Sequence, residues 1–250
     1  MTKVLEICID SLASARAAIA GGADRIELCS ALLAGGLTPY TQLLRQIREE
    51  SDIAIRCLMR PRPGDFLYGP EELDLMRRQI LELKSAGADG FVIGCLTPEG
   101  ELDKAAMGPL VEACGGSCVT LHRCIDVSKD LEKTYLDAME LGIDTVLTSG
   151  GAASCTLGKK NIERLLALRE RRAGPEVLIG AGVHAGVIRS FRQEFPGARA
   201  FHMSGKTERE SAMIFRRQGV PMGLPGLDEW HIQQTDEAAV RAAREALDQA

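Results

Sequence analysis

Short runs in which apolar and polar residues alternate recur along the chain, separated by longer stretches in which apolar residues return every three or four positions. The first period is that of a strand with two unlike faces, the second that of an amphipathic helix. Strand-like runs fall at residues 4–10 ("VLEICID"), 25–30 ("RIELCS"), 53–59, 90–96, 118–126 ("CVTLHRCID"), 145–150, 176–183 and 200–205 ("AFHMSG"). Between them lie helical segments such as "EELDLMRRQILELKSAG", with Leu73, Met76, Ile80 and Leu83 on one face. Each begins at a capping or turn residue, and several close on glycine.

Three of the helix-to-strand passages share a Gly-x-Asp step: "GGADRIEL", "AGADGFVI" and "LGIDTVLT". A short turn with glycine at the helix C-terminus suits parallel βα units, because every crossover must bring the chain back to the same edge. Eight such units of similar size predict a single α/β domain over residues 1–250, a (β/α)8 TIM barrel closed by the helix in "TDEAAVRAAREALDQA". An open doubly wound sheet ranks lower, since no G-x-G-x-x-G follows the first strand. Residues 206–234, long and rich in Gly and Pro around "GVPMGLPG", suggest a lid or a contact between copies in a homo-oligomer.

Barrel geometry turns the alternation into an inside and an outside. Leu5, Ile7 and Ile9 would face the helices, leaving Glu6, Cys8 and Asp10 inward; Arg25, Glu27 and Cys29 repeat the pattern in the second strand. In the fifth, Val119, Leu121 and Ile125 would face out, with Thr120, His122, Cys124 and Asp126 inside; in the eighth, His202 and Ser204 alternate with Phe201 and Met203. Barrel interiors prefer branched apolar residues, so this many polar groups near strand C-termini predict a site.

Composition narrows the possibilities. A net charge of −5, a pI near 5.5, three Tyr and one Trp leave no basic, aromatic face for a nucleic acid. Glu6, Asp10 and Arg16 interrupt the N-terminal stretch and no long uncharged apolar run follows, so a cytoplasmic protein without a membrane partner is expected. The eight cysteines are scattered and should be thiols there. Cys114 and Cys118 lack the second ligand pair of a structural zinc site.

The inward residues suit an enzyme. Glu6 and Glu27 could form a carboxylate pair in which burial and like charge raise one pKa toward general-acid range. Arg60, in "MRPRPGDF", offers a fork for a carboxylate or phosphate, or neutralises the glutamates. His122 could transfer protons near neutral pH, oriented by Asp126 or a strand neighbour. Gly180, Gly182, Ser204 and Gly205, after the last two strands, would offer backbone N–H groups to an anion, with Thr148, Ser149 and Gly150 as further donors. This constellation points to a lyase or isomerase of a small anionic or phosphorylated compound.

The segments "EICIDS", "GGADRIELCS" with "GGLTP", "MRPRPGDFLY", "GADGFVIG", "VTLHRCID", "LTSGG" and "HMSGK" together resemble the CutC copper homeostasis family, from Glu6 to about Ser204. The chain differs from the family pattern at Cys124 and Ile125, where an Ala-Phe pair is usual, and at Tyr40, where Ser is usual. The resemblance implies a TIM barrel and a link to copper, with Cys8 and Cys29 as ligands of Cu(I). A soft thiolate pair suits that ion, and neighbouring strands lie about 4.8 Å apart if the register brings the sulfurs level. The alternative is a pair of small, buried, inert thiols. Copper homeostasis is therefore the first expectation and the enzyme the second.

Overall fold

Eight parallel strands close into a barrel, in chain order, with the eighth hydrogen-bonded to the first. The computed structural model describes residues 3–220, 222 and 228–249. The strands are β1 (Val4–Ile9), β2 (Arg25–Leu28), β3 (Ala54–Leu58), β4 (Gly90–Ile93), β5 (Cys118–Leu121), β6 (Thr145–Thr148), β7 (Glu176–Ile179) and β8 (Ala200–Met203). The helices are α1 (Leu12–Ala20), α2 (Thr41–Glu50), α3 (Pro70–Ser85), α4 (Lys104–Cys114), α5 (Leu131–Glu140), α6 (Lys159–Arg172), α7 (Ala185–Glu194) and, at the end, α8 (Glu237–Gln249). This is the expected (β/α)8 TIM barrel.

The Gly-x-Asp steps act as stitches at the N-terminal rim. In each, the aspartate carboxylate accepts the first free N–H of the preceding strand at 2.7 Å: Asp24 from Leu5, Asp89 from Ile55, and Asp144 from Val119. The aspartate's own N–H donates back to the carbonyl of that same residue. The glycine of each step takes a positive φ, between 73° and 102°, which a side chain would resist. A local sequence signal thus sets the register of β1–β2, β3–β4 and β5–β6.

The main core lies between the outer faces of the strands and the helices. Leu5, Ile7 and Ile9 are fully buried there, as are Met76 and Ile80 of α3. Each such side chain contributes roughly 1.5–3 kcal/mol through removal from water. The N-terminus of α3 is set by Pro70 in its first turn and by the Glu72 carboxylate, which accepts the Gly69 N–H at 2.9 Å. Inside the barrel the apolar filling is thin: Cys8, Cys29, Leu58 and Val92 form one cluster, and Leu147, Leu178 and Ala200 another. Polar groups occupy the rest.

One expectation needs correction. The fifth strand stops at Leu121 instead of running to residue 126, and Arg123–Val127 form a 3-10 turn. Once the chain leaves the extended conformation its period is no longer two, so the inside–outside assignment fails after His122; Ile125 and Cys124 are both fully buried. The excursion after β8 carries regular structure of its own. It forms an antiparallel ribbon of β9 (Lys206–Glu210) and β10 (His231–Thr235). The ribbon is tied to the barrel by the Thr235 N–H, which donates to Ser14 Oγ, and by Thr235 Oγ1, which donates to the Ser204 carbonyl. Most of "GVPMGLPG" lies outside the described residues. No helix among the described residues is long and apolar enough to cross a membrane.

Candidate functional site

The C-terminal mouth of the barrel opens into a cavity of about 410 Å³, within the size range of small-molecule sites. One wall comes from β1, β2 and β8 and presents Cys8, Glu27, Cys29 and His202; the opposite wall carries Arg60, Phe66 and His122. Lys206 and Ser204 stand at the ribbon edge. A second cavity of about 630 Å³ runs on from Cys8, Ser204 and Lys206 beneath the ribbon.

The first wall rests on a buried ionic layer. Glu6 lies opposite Arg25 on β2 and His202 on β8, because the parallel register pairs all three. The Arg25 guanidinium donates to Glu6 Oε2, and His202 Nδ1 donates to Glu6 Oε1 at 2.7 Å. Burial alone would raise the Glu6 pKa, but the charge on Arg25 and the hydrogen bond and charge of His202 outweigh it and hold the carboxyl well below the usual range. Arg56, also inside, donates to Thr120 Oγ1 and to Thr145 Oγ1, the latter at 2.9 Å. Burial is the main cause of its lowered pKa.

Above this layer, Cys8 Sγ, a Glu27 carboxylate oxygen and a His202 ring nitrogen all lie within 4.8 Å of one another. Burial disfavours a charge on His202, yet the charges of Cys8 and Glu27 and its hydrogen bonds push the ring well above its ordinary value. These partners favour the imidazolium form of the ring. Glu27 goes the other way from Glu6: burial, then the Glu6 charge, raises it against the pull of His202. Cys29 donates its S–H to Glu27 Oε2 at 3.4 Å and to no other carboxylate. Burial and the Glu27 charge raise its pKa well above that of an ordinary thiol. The sulfurs are not level in the ladder: the register sets Cys8 beside Glu27, with Cys29 two residues farther along β2.

The second wall is built differently. Arg60 Nη1 donates to the carbonyls of Ala34 and Gly36, and Nη2 to that of Gly64. Its charge therefore meets carbonyl dipoles and neither Glu6 nor Glu27. The guanidinium sits over Phe66, 5.3 Å from the ring centroid, and Phe66 in turn packs on His122 at 4.7 Å. His122 Nδ1 accepts the Cys124 N–H at 3.1 Å. Burial, reinforced by the Arg60 charge, lowers the His122 pKa to about 3, so the ring stays neutral near pH 7.

The remaining expected site residues are scattered. Asp126 does not orient His122: it accepts from Thr148 Oγ1, from the Ser149 and Gly151 N–H groups and from Arg123, and so organises the loop after β6. The 3-10 turn carries it there. Of the expected anion cradle only Ser204 lines the mouth; Gly180, Gly182 and Gly205 do not, and the Gly180 N–H is spent on the Thr148 carbonyl. His202, by contrast, was visible in the sequence only as an inward residue, and Arg25 and Arg56 had no assigned partner. The signal for His202 was its inward position on a strand that must close against Glu6, a pairing 196 residues apart.

Residues 3–207 match the model of the CutC family. A family protein CutC from Chromobacterium violaceum is 42% identical, with the whole of both chains covered. Another from Vibrio parahaemolyticus is 37% identical over 99% of this chain and 100% of its own. Among solved structures, a candidate copper homeostasis protein CutC from Streptococcus agalactiae superposes with a TM-score of 0.75 at 27% identity, covering 81% of this chain and 99% of that one. Phosphoribosyl anthranilate isomerase from Thermotoga maritima gives a TM-score of 0.57 at 12% identity, a likeness of fold alone.

Proposed function

The chain belongs to the CutC family, and from that premise we propose that it is a cytoplasmic copper homeostasis protein that takes up Cu(I) at the barrel mouth. The observation that carries this reading is the convergence of Cys8, His202 and Glu27 within 4.8 Å, with the Cys29 thiol hydrogen-bonded to the same glutamate. Thiolate and imidazole are suitable donors for a soft monovalent ion, whereas the Glu27 oxygen is a poor one. Cys8 and His202 are thus the first ligands, with His202 giving up its Nε2 proton as the ion binds while Nδ1 stays on Glu6, and Cys29 is the next. Cys29 must lose its proton to join them, and Glu27, whose raised pKa suits a proton acceptor, is already in contact. The test is an anaerobic titration of the reduced protein with Cu(I) against a competing chelator. One equivalent should bind, Cys8→Ser with His202→Asn should abolish it, and Cys29→Ser should weaken it. Equal binding by the double variant would mean that the ion sits adventitiously on the other thiols.

A second reading, catalysis on a small anionic compound, is favoured by a different observation. Glu6, His202 and Cys8 stand in the order orienting carboxylate, imidazole and nucleophile. Arg60 supplies an anion counter-charge across the cavity. Under this reading iodoacetamide should modify Cys8 faster than the exposed Cys118, and Glu6→Gln should remove the advantage; equal rates at the two cysteines in the native protein would end it.

A further inference from the structure

The two walls of the mouth differ in one respect that neither copper nor the Cys8 cluster explains. Arg60 Nε and His122 Nε2 are both buried and have no hydrogen-bond partner. Both residues line the same cavity and both pack on Phe66. The His122 tautomer follows from its other nitrogen. Because Nδ1 accepts the Cys124 N–H, the neutral ring must carry its proton on Nε2. The wall therefore holds two unmet donors, Arg60 Nε–H and His122 Nε2–H. A buried donor left unpaired costs about 1–3 kcal/mol, and two beside one cavity are relieved together by a ligand with two acceptor atoms.

We infer that this wall is a receptor for the carboxylate group of a small organic acid, one oxygen accepting from Arg60 Nε–H and the other from His122 Nε2–H. Charge selects the class. Arg60 brings a single positive charge that no carboxylate among the described residues pairs with, and His122 brings a dipole, which together match a monoanion. A phosphate dianion asks for more donors, and the glycine turns that could have supplied them do not reach the mouth. Phe66 gives the acid an apolar floor, and the rest of the molecule extends toward Cys8, Glu27 and His202. The inference deepens the second reading of the preceding subsection and rests on it only for what happens at Cys8; the carboxylate subsite itself stands on Arg60 and His122.

The test is calorimetric titration of the metal-free protein with acetate, pyruvate and succinate, and with inorganic phosphate as the competing anion. At least one carboxylate should bind more tightly than phosphate, with affinity unchanged between pH 6 and 8 because His122 does not titrate there. His122→Phe keeps the ring volume but removes the donor and should weaken binding about tenfold, while His122→Gln, which restores an N–H, should recover part of the loss. Arg60→Lys keeps the charge without the Nε–H and should weaken binding by about the same factor. Cys118→Ser, at an exposed thiol outside the cavity, should bind the acid as the native protein does. Tighter binding of phosphate would overturn the inference, as would equal affinities in the native protein, Arg60→Lys and His122→Phe, or no binding of any of the three acids. Carboxylate binding without enhanced Cys8 reactivity would leave the subsite standing and remove the catalytic reading.

Discussion

His202 and His122 face each other's walls across one cavity, both buried, and their surroundings favour different charge states. Burial pulls both pKa values down. At His202 the charges of Cys8 and Glu27 and the hydrogen bond to Glu6 reverse that pull; at His122 the like-signed charge on Arg60 adds to it. Burial alone therefore does not decide a histidine's charge. The sign of its nearest partners does. The consequence is a mouth with one ionic wall that suits a metal or proton transfer, and one neutral wall that suits recognition.

The largest effect that would break this contrast is removal of Glu6. Glu6→Gln leaves Arg25 and the His202 imidazolium buried without their shared counter-ion, and should destabilise the protein by about 3–5 kcal/mol in urea unfolding. It should also bring His202 down toward the state of His122. A loss below about 1 kcal/mol would show that the layer is not coupled.

A smaller effect separates the walls by pH. His122 has a lowered folded pKa, so its contribution to stability is present above the unfolded value near 6.5 and is lost as pH falls toward about 3. The loss amounts to about 2 kcal/mol between pH 6.5 and 5, at about 1.4 kcal/mol per unit. His202 has a raised pKa, so its contribution is present below about 6.5 and is lost as pH rises through the folded value; Glu27, also raised, adds to that alkaline loss from about pH 4.5 upward. His122→Gln should flatten the acid limb of a stability–pH curve, and His202→Gln the alkaline limb. Ring 15N shifts check the premise: at pH 7 His202 should be doubly protonated and His122 neutral with its proton on Nε2. The same charge state at both rings would remove the distinction between the walls.

Much of the fold was legible because its signals are local. The alternation in "VLEICID" and "RIELCS" sorts Leu5, Ile7 and Ile9 from Glu6, Cys8, Glu27 and Cys29 without reference to any distant residue. The site was legible only in part. Glu27, Arg60, His122, Cys8 and Cys29 do line one cavity, but Asp126 leaves it with the 3-10 turn, the Gly180 N–H is spent on Thr148, and Gly182 and Gly205 do not reach it. A turn that breaks the strand period cannot be read from a pattern that assumes the period. Nor could the division of labour between Glu6 and Glu27, since it depends on which of them meets Arg25.

By itself, then, the sequence determined which strand side chains point inward, in the fifth strand as far as His122, where the strands begin, and that glycine turns would join parallel βα units. Tertiary structure decided which inward side chains meet. Closure of β8 onto β1 brings His202 to Glu6, and it is that long-range register, absent from any window of the chain, that favours the imidazolium form of one histidine and leaves the other neutral.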